Sequence, residues 1–318
     1  MNALSSAPIV FIHRGKSWFL PYALYQARHS NPTRPVFLLG DGNAPEGIPA
    51  VDSQSLESDL SQKFRSVFKP MSPNPPEFEL MCYLRWFYLL KFLEQHDLEE
   101  AFYFDSDVLV YDDCEKVRQA VLSQNLQCGL SIPEQSFDSY TWTACGHASY
   151  WRISILRDFC EFCVRSYTDE SYLELYGQKI RWQKSQGIRG GICDMTTLYL
   201  FWVERSGEIA NLARISGNMV VDHNVVCSGN SIPDEYSHEH GIKRIIFEEG
   251  MPYFTTQADR KPVLAHSIHF QGARKKLMPR YYTGGDFPGK FSNELRMNLR
   301  SAPKRFGKWI KHSLTKNG

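Results

Sequence analysis

The sequence lacks long hydrophobic runs and lacks a bias toward charge of one sign. No stretch reaches the roughly 18 consecutive apolar residues that span a bilayer, and Met1 to Pro8 lack the basic segment of a signal peptide. The formal net charge is +1 over 318 residues, so no overall attraction to nucleic acid is expected. We therefore predict neither secretion, nor a membrane span, nor a nucleic-acid partner.

Motifs that define several enzyme classes are also missing. No GxGxxG follows the first predicted strand, which excludes a dinucleotide fingerprint, and no GxxxxGK[ST] occurs, which excludes a P-loop enzyme. The absence of GxSxG and HExxH argues against hydrolases that use a nucleophile elbow or that zinc motif.

The cysteines are not arranged as a disulfide framework or a zinc site. Of the eight cysteines, only Cys160 and Cys163 form a CxxC, and no second pair completes a metal site. Most of the others fall in apolar runs, where cysteine acts as a small hydrophobic residue. We expect free thiols in a reducing compartment and a cytoplasmic protein.

What the sequence does contain is an alternation of apolar strands and helices. Ile9–Ile12 and Val36–Leu39 predict two strands, with a helix between them over about 18–28. This order predicts an α/β fold with a mostly parallel sheet flanked by helices. Ligands bind at the carboxyl ends of strands in such sheets, and His13 and Arg14 follow the first strand.

The stretch 101–111 joins an apolar strand to two carboxylates. Asp105 and Asp107, separated by Ser106, are expected on the same side of an extended chain, because side chains alternate with period two. Carboxylates in apolar surroundings are costly unless they are neutralised. The pair suits Mg²⁺ or Mn²⁺ bridging to a diphosphate, and the alternative is a strand that ends in a solvated acidic turn.

Two further charged residues have two interpretations each. Arg85 lies in a mostly apolar helix predicted over 77–95. It either reaches the acidic strand end or extends to the surface, and the sequence alone favours the surface position. Asp194 follows Gly190 and Gly191 at the start of a predicted helix, where it is either a site residue or an N-cap.

A late strand over Val263–Phe270 completes the pattern. It carries His269 near its end, and a turn with Gly272 and Lys275 follows. The acidic pair, the glycine-flanked Asp194 and this His-x-x-Gly-x-x-Lys together resemble the glycosyltransferases of the GT-A fold, particularly family 8, the glycogenin and galactosyltransferase-like group. The resemblance covers residues 7 to about 277 and implies a Rossmann-like, mixed sheet.

The resemblance also implies an activity, a donor and a cofactor. The chain would move a sugar, as a hexosyltransferase does, from a nucleotide-diphosphate sugar, UDP-linked, to a glycan, lipid or protein acceptor. Asp105, Asp107 and His269 would hold Mn²⁺ or Mg²⁺. Asp194 and Arg85 would be the catalytic residues, with Asp194 beside the donor sugar and Arg85 in contact with the donor. The implied donor-binding residues are His13, Arg14, Asp105, Ser106, Gly272 and Lys275.

Two departures from the family pattern leave alternatives open. Cys145–Ala148 replaces the usual Asn-x-Gly stretch, and Cys193–Met195 replaces Asp-Gln-Asp. The motifs do not specify the donor sugar, the acceptor or the stereochemical outcome. The alternatives are a Mg²⁺-dependent phosphatase of the haloacid-dehalogenase type, which also uses a DxD at a strand end, and a non-catalytic nucleotide-sugar-binding protein.

The chain is predicted to divide into a transferase domain, 1–285, and a basic C-terminal tail, 286–318. Aromatic and aliphatic residues of the tail fall at helical spacing among lysines and arginines. Such a helix either lies on an anionic membrane surface, giving peripheral contact at the cytoplasmic face, or docks on the domain through its apolar side.

Overall fold

The computed structural model describes residues 6–41, 44–133, 136–214, 216–226, 232 and 234–290. The chain forms two compact units, Met1–Gly285 and Asp286–Gly318. The sheets, helices and pockets found among the described residues belong to the first unit. The basic helix predicted for the tail lies outside the described residues.

Helices and strands alternate through the first unit. The helices are α1 (Leu20–Ser30), α2 (Asp59–Val67), α3 (Pro76–Gln95), α4 (Cys114–Leu122), α5 (Ile153–Ser166), α6 (Glu170–Ser185), α7 (Asp194–Glu204) and α8 (Met278–Tyr281). The strands are β1 (Ile9–His13), β2 (Val36–Gly40), β3 (Ala50–Asp52), β4 (Glu100–Phe104), β5 (Val108–Val110), β6 (Cys128–Ser131), β7 (Cys145–Arg152), β8 (Ile209–Asn211), β9 (Met219–Val221), β10 (His238–Glu239), β11 (Ile242–Lys243), β12 (Ile246–Glu248), β13 (Met251–Thr255) and β14 (Pro262–His269).

The larger sheet is mixed, and most of its strands are parallel. Its order among the described residues is β3-β2-β1-β4-β7-β6-β8. The first four of these strands are mutually parallel, β7 is antiparallel to both of its neighbours, and β8 is parallel to β6. The predicted α/β class with a mostly parallel sheet and flanking helices is confirmed.

A smaller sheet begins where the acidic pair lies. Its order is β12-β13-β14-β5, with β9 beside β14, so β4 and β5 belong to different sheets. The prediction that Asp105 and Asp107 share an extended chain is therefore wrong. The chain must turn there to pass between the sheets, and the Val108 amide donates to the Asp105 carbonyl at 3.1 Å.

Strand pairing brings distant segments to this turn. In the antiparallel pair of β14 and β5, His269 lies opposite Val108, and the Phe270 amide donates to the Asp107 carbonyl at 2.9 Å. On the other side, the Asp105 amide donates to the His147 carbonyl at 2.7 Å, where β7 leaves β4. Both sheets therefore hold the turn in place through backbone hydrogen bonds.

The packing of α3 fixes the other wall of the site. The helix starts after a proline-rich loop and is buried on most sides, as its sequence predicts. Full burial of a side chain such as Phe87 contributes about 1.5–3 kcal/mol to folding. Trp86 is also fully buried, and a Cβ at Gly146 would lie 2.2 Å from its ring. Glycine at 146 is therefore required for α3 to approach β7.

Membrane spans and cysteine pairing can be checked directly. Within the described ranges, no helix is both long and apolar enough to cross a membrane. The cysteines of these ranges are free, as predicted. Cys160 and Cys163 are buried in α5, and burial raises the pKa of both thiols well above its usual value. These thiols are therefore structural rather than reactive.

The protein is expected to lose stability in acid, because His266 on β14 is fully buried. Burial lowers its pKa to about 4, against the opposing charge of Asp112. Between about pH 6.5 and 4 the unfolded chain binds a proton that the folded chain does not, so stability falls as pH falls. His266→Gln should reduce the slope of unfolding free energy against pH by up to about 1.4 kcal/mol per unit.

Urea unfolding at pH 7 and pH 4.5 measures this slope. His29→Gln is the matched control, because it removes an imidazole that is exposed rather than buried. Equal slopes for wild type and His266→Gln would contradict the prediction.

Candidate functional site

A pocket of about 520 Å³ lies where β1 and β4 end, and we call it the main pocket. This is the edge at which open α/β sheets bind ligands. Every residue predicted for the site lines it, namely His13, Arg14, Arg85, Asp105, Ser106, Asp107, Asp194, His269, Gly272 and Lys275.

Three of these residues form a cluster that fits a divalent cation. Asp105, Asp107 and His269 each offer one ligand atom, and these atoms lie within 4.8 Å of one another. His269 Nδ1 donates to the His223 carbonyl at 3.0 Å, so Nε2, which faces Asp107, is the nitrogen that would bind a cation after losing its proton. Two carboxylates and an imidazole suit Mn²⁺, and the carboxylates also suit Mg²⁺.

Asp107 is neutralised by two cations. His269 Nε2 lies 3.5 Å from one carboxylate oxygen and Lys275 Nζ lies 3.1 Å from the other. Burial alone would raise the pKa of Asp107, but His269 and Lys275 hold it well below its usual range. Burial alone would lower the pKa of His269, but Asp107 raises it to about 9. These contacts offset the cost of burying the carboxylate.

Arg85 links the two acidic segments of the pocket. Its guanidinium donates to Asp105 Oδ1 at 2.7 Å and pairs through its other nitrogen with Asp194. The Tyr103 hydroxyl donates to the same Asp105 oxygen at 2.5 Å. The guanidinium also lies 4.8 Å from the Trp86 ring centroid, and only 14% of the side chain is exposed. The interpretation of Arg85 as a surface residue is therefore wrong.

Asp194 is not the N-cap of α7, and its side chain lines the main pocket. Cys193 occupies the cap position of α7, while the Asp194 side chain is buried and paired with Arg85. The N-terminus of a helix favours a carboxylate electrostatically. The preceding Gly191 is required for close approach, because a Cβ there would lie 2.2 Å from the Met71 carbonyl oxygen.

His13 connects the end of β1 to the acidic turn. Its Nδ1 is hydrogen-bonded to Ser106 Oγ and its Nε2 to Ser17 Oγ, both at 2.9 Å. Burial lowers the pKa of His13, so the ring is neutral at pH 7. Arg14 is exposed at the rim, with its guanidinium 3.8 Å from Met81 Sδ.

Several pocket residues were not predicted from the sequence. The His147 ring stacks on His269 with centroids 4.1 Å apart, and burial together with the His269 charge lowers the pKa of His147 to about 3. His223 and Asn224 also line the pocket, directly after β9. Their place after a strand was an available signal, and His147 lies within the Cys145–Ala148 stretch that replaces the family's Asn-x-Gly.

The buried ion pair of Asp222 and Lys243 positions the backbone of His269. Asp222 accepts a hydrogen bond from the His269 backbone amide at 3.1 Å and pairs with Lys243 at 2.8 Å. The Asp222 carbonyl also accepts from His147 Nε2 at 2.9 Å. These contacts orient the cluster as outer-shell partners orient metal ligands.

No protein-family model and no curated protein sequence matches the chain. Several solved structures are similar to it in fold. Mouse xyloside xylosyltransferase 1 has a TM-score of 0.44 at 8% identity, over 65% of this chain and 84% of that one. The galactosyltransferase LgtC, with donor and acceptor sugar analogues, has a TM-score of 0.38 at 15% identity, over 64% of this chain and 72% of that one.

The bifunctional glycosyltransferase WbbM has a TM-score of 0.48 at 10% identity, over 92% of this chain and 52% of that one. These structural neighbours are glycosyltransferases, the class that the sequence motifs resemble. Because all three TM-scores are below 0.5, the function proposed below depends on the pocket's own residues.

Proposed function

We propose that this chain is a metal-dependent glycosyltransferase that uses a nucleoside-diphosphate sugar, with UDP as the nucleotide. One observation carries the proposal. Asp105, Asp107 and His269, the three side chains that could bind a cation, share a single pocket with Lys275 and with the Arg85–Asp194 pair. A divalent cation and a lysine suit a diphosphate, and a carboxylate held by arginine suits sugar hydroxyls.

The leaving group of the reaction explains the cationic side of the pocket. As the bond from the anomeric carbon to the phosphate oxygen breaks, its electron pair passes to the diphosphate. A cation held by Asp105, Asp107 and His269 would act as a Lewis acid on that charge. Lys275, 33% exposed at its side chain, contributes a second positive charge from the protein itself.

The nucleoside would lie against the end of β1. His13 and Arg14 follow this strand, and the His13–Ser106 hydrogen bond joins it to the acidic turn. Gly272 has φ +59°, and no atom lies within 4 Å of the position a Cβ would take. Glycine thus allows both the left-handed backbone and open space beside Lys275.

The sugar would lie beside Asp194. Its carboxylate is oriented by Arg85 and faces the pocket, where it can accept hydrogen bonds from sugar hydroxyls or stabilise positive charge on the sugar. The acceptor hydroxyl oxygen forms the new bond to the anomeric carbon, and its proton passes to the departing diphosphate, which carries the electron pair of the broken bond, or to solvent.

The contacts of Asp105 argue against the phosphatase alternative. In that mechanism the first aspartate is a nucleophile, yet Asp105 Oδ1 accepts hydrogen bonds from both Arg85 and Tyr103. These two hydrogen bonds engage Oδ1 with the protein, so this oxygen is not free to attack a phosphorus atom. Hydrolysis of p-nitrophenyl phosphate without any response to nucleotides would reverse this assignment.

Thermal shift with nucleoside diphosphates tests the proposed function. UDP with Mn²⁺, at about 100 times its dissociation constant, should stabilise the chain by about 2.7 kcal/mol and raise Tm by roughly 5 °C. GDP, CDP and ADP serve as comparisons, each with and without the metal. Absence of any shift with every diphosphate would refute the proposal, and absence of sugar-nucleotide hydrolysis would favour a binding protein.

Lys275→Ala should weaken UDP binding by about 10–100-fold, because a hydrogen bond to a charged group contributes about 1.5–3 kcal/mol. Isothermal titration with UDP and Mn²⁺ measures the change. Lys276→Ala is the matched control, since Lys276 is exposed and does not line the main pocket. Equal UDP affinities for the two variants would remove Lys275 from the diphosphate site.

A further inference from the structure

A second pocket of about 410 Å³ adjoins the main pocket. The two pockets share Asn74, Glu79, Cys193 and Met195, so they meet immediately beside Asp194. We infer that this second pocket binds a sugar ring of the acceptor, which makes the acceptor a carbohydrate. The inference rests on the proposed function and extends it to the second substrate.

Aromatic side chains form one wall of the second pocket. The rings of Tyr140 and Trp182 stack with centroids 5.7 Å apart and an interplanar angle of 24°. Both side chains are half-buried and line the pocket, as does the fully buried Trp142. Large rigid aromatic surfaces suit a ligand with an apolar face. The C–H face of a pyranose ring is such a surface, and its hydroxyls remain free for polar contacts.

The loop that carries these aromatics is held in a strained conformation. Tyr140 and Trp142 have φ of 54° and 36°, in the left-handed region that side chains other than glycine rarely adopt. The buried Lys179 holds the loop, since its ammonium donates to the Thr141 carbonyl at 2.8 Å and to Thr196 Oγ1 at 2.9 Å. Backbone strain that is enforced in this way is typical of binding sites.

Glu79 provides the polar contact where the two pockets meet. The side chain is buried with 2% exposure, and one carboxylate oxygen accepts a hydrogen bond from the side-chain amide of Asn74. The other oxygen has no hydrogen-bond partner among the described residues. A buried oxygen without a partner is costly. A hydroxyl of the acceptor sugar would satisfy it and would thereby lie near Asp194.

The same features disfavour a lipid or a polypeptide in this pocket. An acyl chain in this pocket would remove water from a buried carboxylate and from Gln183 and Arg189 without replacing its hydrogen bonds, which is costly. The lining of the pocket comes from loops and helices and includes no strand edge, whereas peptides often bind by adding a strand to a sheet edge. A compact ligand with an apolar face and many hydroxyls satisfies both walls.

Saturation-transfer difference NMR tests the inference with defined probes. The probes are the methyl glycosides of glucose, galactose, mannose, xylose and N-acetylglucosamine, each with UDP and Mn²⁺ present. Saturation should reach the ring C–H protons of at least one glycoside in wild type. Trp182→Ala should weaken that binding about fivefold, since an aromatic contact contributes about 0.5–1.5 kcal/mol.

Two further variants complete the test. Trp202→Ala is the matched control, because this half-buried tryptophan packs on Tyr199 and lines neither pocket. It should bind the glycoside as wild type does. Glu79→Gln keeps an acceptor for Asn74 but replaces the unpartnered oxygen with a donor, so it should also weaken binding about fivefold.

The outcomes separate the inference from the proposed function. Wild-type affinity in both Trp182→Ala and Glu79→Gln, or the absence of saturation on all five glycosides, would overturn the carbohydrate subsite. Trp182→Ala should retain the thermal shift with UDP and Mn²⁺. Glycoside binding without any nucleotide response in wild type would instead overturn the transferase and, with it, the acceptor role.

Discussion

Asp107→Asn is expected to reduce metal-dependent hydrolysis of the sugar nucleotide by about 10²–10³-fold, the range typical for the loss of one charge-stabilising group. Asp107 is the residue that holds the cationic side of the pocket together, since His269 and Lys275 flank its two oxygens. Asparagine has the same shape but no charge. It would weaken the hold on a divalent cation, since hard cations prefer carboxylate oxygens.

The change should be in rate and metal dependence rather than in folding. UDP-sugar hydrolysis at a series of Mn²⁺ concentrations would show both, with circular dichroism as the check on folding. Asp112→Asn is the matched control, because Asp112 is also buried and paired, with Lys116 at 2.8 Å, but does not line the main pocket. Hydrolysis by Asp107→Asn at the wild-type rate would remove the metal role.

Arg85→Met is expected to have the largest effect on stability, a loss of about 3 kcal/mol or more in the free energy of unfolding. The side chain is removed from between two carboxylates, and Asp194 in particular is buried, with 6% of its side chain exposed. Removing one partner of a buried ion pair leaves the other charge uncompensated. Methionine preserves the volume and much of the contact with Trp86.

Urea unfolding near pH 7 measures this loss. Arg65→Met is the control, because Arg65 pairs with Glu57 at 2.6 Å but is 37% exposed, and exposed pairs contribute about 0–1 kcal/mol. A loss for Arg85→Met no larger than that for Arg65→Met would contradict the prediction.

A double variant separates the charge from the packing. When Asp194→Asn is combined with Arg85→Met, the loss should be smaller than the sum of the two single losses, since no unpaired carboxylate remains at 194. Arg85→Lys should fall between wild type and Arg85→Met. It keeps the charge, but a single ammonium cannot reach both carboxylates as the planar guanidinium does.

Local pattern was enough to predict the elements that frame the site. The apolar run before Asp105 is β4, the late strand that carries His269 is β14, and the helix with Arg85 is α3. These segments are strongly apolar or periodic, and such a pattern within a segment is enough to predict its secondary structure.

The roles of Arg85 and Asp194 depended on contacts far apart in sequence. The orientation of Arg85 follows from the packing of α3 against β7, where Trp86 lies against Gly146. The pairing of Asp194 with Arg85 follows from where α7 begins. A surface arginine and an N-cap aspartate have the same local sequence signature as a buried ion pair. Only the pairing partner separates these cases.

By itself the sequence determined the α/β class and pointed to ten of the residues that line the main pocket, because apolar periodicity, strand ends and short motifs are local properties. The tertiary structure alone decided how those side chains converge. Asp105 and Asp107 meet because the chain turns between two sheets, and His269 joins them because β14 pairs with β5. Such convergence depends on the register of strands that lie far apart in the chain, and no local pattern records it.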